Sequence, residues 1–258
     1  MEYYPITIVG AGNLAWSLAP ALENAGHTLV EIYSQSLPNA ESLASCLYDS
    51  KATNSLNFEN STAIVFIVAV PDDIIADVAK QIVLPADALV VHTSGSRPME
   101  VLDYAEGLPG VFYPLQTFSK AKKADFSNIP ICLECEDMVG LQMLENIALS
   151  LSNKVYTISS EERAVLHVAA VFANNFANHM FTLASDILNS EDLAFDMLGP
   201  LIQETAQKAI ELGPAQAQTG PAIRHDRKTI NKHLLFLETN PEIHHLYNIV
   251  TQSILRNA

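Results

Sequence analysis

Hydrophobic positions in the first part of the chain gather into short unbroken runs: ITIV (6–9), TLVEIY (28–33), AIVFIVAV (63–70) and ALVVHTS (88–94). Continuous apolar runs, rather than strict alternation, mark strands covered on both faces of a parallel sheet. Between the first two, LAWSLAPALENAG repeats its apolar positions at helical spacing and stops at Gly26, a residue suited to ending a helix. Pro20 lies inside that stretch and predicts a local kink or a shorter helix. GVFYPLQTF, IPICLEC and KVYTIS add strands up to about residue 158. Strands alternating with helices predict an α/β fold with a Rossmann doubly wound parallel sheet.

From Ser159 the strand pattern stops. SSEERAVLHVAAVFANNFANHMFTLASDILNS reads as one long helix, capped by Ser159 or Ser160, with Glu161 and Glu162 in the first turn, where negative charge suits the helix dipole. Its apolar positions wrap most of the circumference, which predicts burial on nearly all sides. Helices at 191–212, 226–239 and 241–256 follow, separated by GPAQAQTGPAI and by Asn240-Pro241. The chain therefore reads as a dinucleotide-binding domain, 1–158, and an all-helical domain, 159–258, that serves substrate binding and dimerisation. The long helix predicts a homodimer in which a second subunit covers it.

The turn after the first strand is Gly10-Ala11-Gly12-Asn13-Leu14-Ala15. Gly10 permits the tight turn, Gly12 allows a pyrophosphate to approach the backbone, and Ala15 lets the helix lie close to the sheet. The helix N-terminus, beginning at Asn13 and Leu14, offers unpaired N–H groups to the phosphates. A structural turn alone would also use glycine, but the strand before and the helix after are the context a nucleotide site requires. Which nicotinamide dinucleotide binds depends on the end of the second strand, where a carboxylate would hold the ribose hydroxyls of NAD. The residues there are Ser34, Gln35 and Ser36, and Glu31 comes too early. That favours NADP, with NAD as the alternative.

Composition narrows the picture further. With 49% hydrophobic and 17% charged residues, the chain has no apolar run of the roughly 20 residues that a membrane span needs, and no signal-like N-terminal pattern. A cytoplasmic protein without membrane partners is expected. A net charge of −15 repels phosphate backbones and argues against nucleic acid. Cys132 and Cys135 form a C-x-x-C, but along a strand residues three apart face opposite sides, so neither a redox pair nor a metal site is expected. The eight histidines show no ligand spacing, and no metal is assigned.

On the long helix, His167, Asn174, Asn178 and Ser185 fall near one line at 100° per residue. They are either a set of satisfied core polar groups or a stripe facing a cleft at the domain junction. His167 can exchange a proton near neutrality. His92, at a strand end, is a second candidate or a structural hydrogen-bonder, and Ser94 and Ser96 with the Gly95 backbone suit a substrate carboxylate. Arg224, Arg227, Lys228 and Lys232 are four of fourteen basic residues and form either an anion-capturing cluster or a solvated helix face.

Taken together, GAGNLA, AVPDD (69–73), HTSGS (92–96), YPLQTF (113–118), LHVAAVFANNF (166–176) and TGPAIRHD (219–226) resemble the family of Rossmann-like, DUF2520-containing proteins. These are relatives of pyrroline-5-carboxylate reductase and of the 6-phosphogluconate and 3-hydroxyacid dehydrogenases. The resemblance implies a helical domain of the 6-phosphogluconate dehydrogenase C-terminal type. It places the nicotinamide near Val70-Pro71-Asp72 and Thr93-Ser94-Gly95. His167 and Asn175 match positions where related dehydrogenases keep a catalytic lysine or asparagine, whereas the helical wheel favours Asn174. The chain departs from the family at Gln35, where arginine is common, at Tyr113, where histidine precedes Pro114, and at His225, where glycine separates Arg224 from Asp226. The expected activity is hydride transfer between a nicotinamide and a small, anionic carbonyl or imine substrate. The alternative is a non-catalytic dinucleotide-binding sensor, since the helix supplies no lysine.

Overall fold

The computed structural model describes residues 2–257. The chain forms two compact units, one ending at Val171 and the other beginning at Phe172. That division lies later than the change of pattern at Ser159, because the first turns of the long helix pack with the sheet. The Arg163 guanidinium is buried and paired with Glu134 of a strand, and Ser160 N–H donates to Glu134 Oε1 at 2.9 Å.

The first unit is built on an eight-stranded sheet in the order β3-β2-β1-β4-β5-β6-β7-β8. Its strands are β1 (Pro5–Val9), β2 (Thr28–Tyr33), β3 (Lys51–Thr53), β4 (Val65–Val68), β5 (Leu89–His92), β6 (Leu108–Pro114), β7 (Ile131–Glu134) and β8 (Val155–Thr157). The order reverses between β1 and β4. Strands β1 to β6 run parallel, and their register aligns Val9 with Tyr33 and Val68, Val68 with His92, and His92 with Val111. The carboxyl ends of six strands thus lie along one edge. The sheet is the mostly parallel one expected, with β7 running antiparallel to β6. A parallel return requires a long crossover, usually an α-helix, and the link between these strands holds only a 3₁₀ turn at Phe126–Asn128.

Helices α1 (Asn13–Asn24), α2 (Leu37–Ala44), α3 (Ile75–Ala79) and α4 (Met138–Leu151) belong to this unit. α1 passes through Pro20 without ending and buries Ala15, Leu18, Ala19 and Leu22, the i, i+3, i+4, i+7 face of an amphipathic helix. That stripe packs with Ile6, Ile8, Ile67 and Leu144 on one face of the sheet, while Phe66, Val68, Ile75 and Val78 form the core of the other. Each buried Leu or Ile contributes roughly 2 kcal/mol by removing apolar surface from water.

α5 (Ser160–Ala170) opens on Ser159, which forms a reciprocal capping box with Glu162. A π-helical segment, Val171–Phe176, separates it from α6 (Ala177–Asn189). The second unit continues through α7 (Gly199–Leu212), α8 (Pro214–Ala217), α9 (Arg227–Phe236) and α10 (Pro241–Arg256). Burial of the long helix on nearly all sides is not what the chain shows. α6 and α7 have no buried residue, and Val165, Val168, Phe172 and Phe176 are exposed, Phe172 by 66%. An all-round apolar pattern records that a surface must be covered, not that the same chain covers it. His225 adopts φ +54, a left-handed conformation natural to the glycine of the resembling family.

Candidate functional site

The turn after β1 carries two glycines with different duties. Gly10 has φ +131, and a Cβ there would overlap the main-chain carbonyl oxygen of Ala69 at the end of β4. Its N–H donates to the Tyr33 carbonyl at 2.8 Å, which ties the ends of β1 and β2 together. Gly12 is the N-cap of α1, and a Cβ on it would meet nothing closer than the Ala69 oxygen at 3.9 Å. No side chain caps α1, so its first N–H groups are free to receive an anion.

Gly10, Ala11 and Gly12 line a cavity of about 560 Å³ together with Tyr33, Ser34, Gln35 and Asn39 on one side and Val70, Pro71, Ile74 and Gln81 on the other. It lies at the point where the strand order reverses, the place at which open α/β sheets bind nucleotides. Asn13 and Leu14 form the first turn of α1 above it, and Ser36 is the N-cap of α2 without a side-chain cap bond. Glu31 is turned away. Its carboxylate accepts hydrogen bonds from Thr7 Oγ1 and from Ser61 Oγ, so no β2 carboxylate reaches the cavity. Asn39 and Gln81 escaped the sequence reading because they follow no motif and meet the glycine turn only through the fold.

Beyond the cavity the same sheet edge carries the loops after β4 and β5. Thr93 Oγ1 donates to the Val68 carbonyl at 3.4 Å, and Ser96 Oγ donates to Asp72 Oδ2 at 2.7 Å. Three expected substrate contacts are corrected here. His92 is 0% exposed; its Nδ1 accepts from Ser94 N–H at 3.1 Å, and Nε2 lies 3.3 Å from the Pro98 carbonyl. Burial, and secondarily the Arg163 charge, hold its pKa down at about 4, so it is a neutral structural residue. Ser94 is buried, and its Oγ accepts from the N–H groups of Ser96 and Arg97. Gly95 is buried beneath two side chains.

Those two side chains are Tyr113, near the end of β6, and His167, on α5. The phenol oxygen lies 3.3 Å from His167 Nδ1, with the rings edge-on at 6.3 Å. A Cβ at position 95 would stand 2.6 Å from Nδ1 and 2.7 Å from the phenol oxygen, so only glycine leaves room for the pair. Burial raises the Tyr113 pKa, with Cys132 and Asp72 adding to the effect, and keeps the phenol protonated. Tyr113 could have been suspected from its unusual place before Pro114, but its partner, 54 residues away in sequence, could not.

The remaining candidates belong to the second unit. Asn174 and Asn175 fall in the π-helical segment and are exposed. Wider π turns change the rotation per residue, so the wheel that aligned Asn174 with His167 does not hold across residues 171–176. Asn178 and Ser185 line a depression of about 290 Å³ on the second unit with Thr182 and Asp186. Arg224 is exposed in the turn before α9. Among the described residues, no helix is long and apolar enough to cross a membrane.

Two family descriptions match the chain: a Rossmann-like domain over residues 3–108, and the domain of unknown function DUF2520 over residues 129–254. A solved structure provisionally named an NADP oxidoreductase, from Bacteroides fragilis, is 43% identical over 98% of both chains, with a TM-score of 0.91. Protein TM1727 of Thermotoga maritima is 26% identical over 98% of both chains, with a TM-score of 0.74. A reductive aminase from Aspergillus terreus, solved with NADPH and ethyl levulinate, shares the fold at a TM-score of 0.74 and 13% identity, over 98% of this chain and 94% of its own. The curated proteins provide no match.

Proposed function

The chain belongs to the Rossmann-like, DUF2520-containing family, and on that premise we propose that it is an NADP-dependent oxidoreductase acting on a small, anionic carbonyl or imine substrate. The observation that carries this reading is the open face of Gly12 at the strand-order reversal, where a side chain would fill the space a pyrophosphate needs. Gly10, Ala11 and the first N–H groups of α1 would hold the pyrophosphate. Ser34, Gln35 and Asn39 would hold the adenosine ribose and its 2′-phosphate by neutral hydrogen bonds, which is why NADP is favoured while NAD is not repelled. Val70 and Pro71 would shape the way to the nicotinamide, whose contribution is the hydride.

The chain itself must deliver a proton to the substrate heteroatom when a carbonyl or imine is reduced. His167 is the group at the sheet edge suited to that task near neutrality. An anionic substrate is supported by the cluster of Arg224, Arg227, Lys228 and Lys232 on an otherwise acidic chain. The name of the Bacteroides fragilis relative points the same way for the cofactor.

A screen of oxo acids and imines for NADPH oxidation tests the reading. His167→Asn should keep its melting temperature and nucleotide affinity while turnover falls roughly 10²- to 10⁴-fold, the usual worth of a positioned acid or base. Full turnover in that variant would remove His167 from the chemistry. Tight nucleotide binding with no turnover across the screen would instead favour a non-catalytic dinucleotide sensor.

A further inference from the structure

We propose that Tyr113 is a positioning residue for the proton carrier: its phenol donates to Nδ1 of His167 across Gly95, so that Nε2 is the nitrogen bearing the transferable proton. This rests on the oxidoreductase reading for its purpose, but its geometry is independent of any substrate. A neutral imidazole has one donor and one acceptor nitrogen, and the partner of one nitrogen decides the state of the other. At 3.3 Å from Nδ1 the phenol has a single acceptor among the described residues, and that acceptor is the imidazole. Burial keeps the phenol in its protonated, donating form. Nδ1 is then the acceptor, and the proton resides on Nε2.

Three features of the fold bring the pair together. β6 is parallel to β5, so Tyr113 stands at the same carboxyl edge as Thr93 and Gly95, on the side of β4 away from the glycine turn. α5 is anchored by the buried Arg163, which bonds Glu134 of β7 and donates to the Arg97 carbonyl at 2.6 Å and to Ser160 Oγ at 3.0 Å. His167 follows Arg163 by one turn, so the anchor sets its position over the loop after β5. Gly95, lacking Cβ, lets the phenol and the imidazole meet above it. In reduction, Nε2 gives its proton to the substrate oxygen or nitrogen as the carbon receives hydride, while the phenol proton passes to Nδ1, so that the ring stays a neutral imidazole. The phenolate left on Tyr113 then regains its proton from solvent.

Nitrogen-15 NMR of the histidine-labelled protein tests this, with the His167 signals identified by their loss in His167→Asn. At alkaline pH, the expected wild-type spectrum is that of a ring protonated on Nε2. Tyr113→Phe, which removes only the hydroxyl, should yield a mixture of tautomers. Where a substrate is available, kcat should fall up to about 10-fold, the worth of one such hydrogen bond, with KM for the nucleotide unchanged. Gly95→Ala should reproduce both effects by wedging the pair apart. A wild-type ring protonated on Nδ1, or a tautomer that is the same in Tyr113→Phe, would overturn the proposal. Absence of any NADPH-dependent turnover would count against the oxidoreductase reading, while the spectra would still decide the positioning claim.

Discussion

At the scale of single residues, neighbouring positions of similar appearance do opposite work. Gly10 is required by the fold, because its φ of +131 and the Ala69 carbonyl leave no room for a side chain. Gly12 is free of any such demand. Gly10→Ala should therefore lower stability by roughly 2 to 5 kcal/mol through backbone strain and overpacking, measured by denaturant unfolding. The two histidines at the sheet edge divide in the same way. His92 is buried and neutral with a pKa of about 4, below its value of about 6.5 in an unfolded chain. Its contribution to stability is complete above pH 6.5 and is lost as pH falls toward 4, because only the unfolded chain takes up the proton in that range. The full loss is about 3 kcal/mol from a shift of this size. Unfolding curves from pH 7 to 4 should show a steeper decline for the wild type than for His92→Gln. Equal slopes would mean that His92 titrates alike in both states.

The elements show what the sequence could and could not disclose. Apolar runs in β1, β2, β4 and β5 are legible because both faces of a central parallel strand are covered, and the capping box at Ser159 and Glu162 marks the start of α5 directly. The direction of β7 is not legible, since nothing local in ICLE distinguishes parallel from antiparallel pairing. The π-helical segment at Val171–Phe176 is equally silent: its residues fit helical spacing, and only the hydrogen-bond ladder shows the wider turn. Arg163 follows Glu161 and Glu162 and reads as part of a charged first turn, and its partner lies on β7, 29 residues back. Removing one member of a buried ion pair typically costs 3 to 5 kcal/mol. Arg163→Ala should fall in about that range, and hydrogen exchange should rise along α5 before it rises in β4. Uniform exchange along the chain would contradict the anchoring role assigned to Arg163.

For the whole molecule, the second unit leaves large apolar side chains in water, among them Phe172, Leu201, Leu235 and Ile210, the last by 85%. Leaving this many large side chains uncovered on one unit favours a partner. The expected state is a homodimer, and light scattering at tens of micromolar should report twice the 28.1 kDa chain mass; a value of one chain mass would refute it. The proposed oxidoreductase activity requires a nicotinamide dinucleotide lying across the glycine turn of β1. Titration calorimetry of NADPH against the wild type and Gly12→Val, with melting curves for both, addresses that directly. The wild type should bind with micromolar affinity, and the folded variant, whose branched side chain projects into the cavity, should bind at least about 100-fold more weakly. A wild type that binds neither NADPH nor NADH, or a folded Gly12→Val protein that binds as tightly as the wild type, would contradict the account.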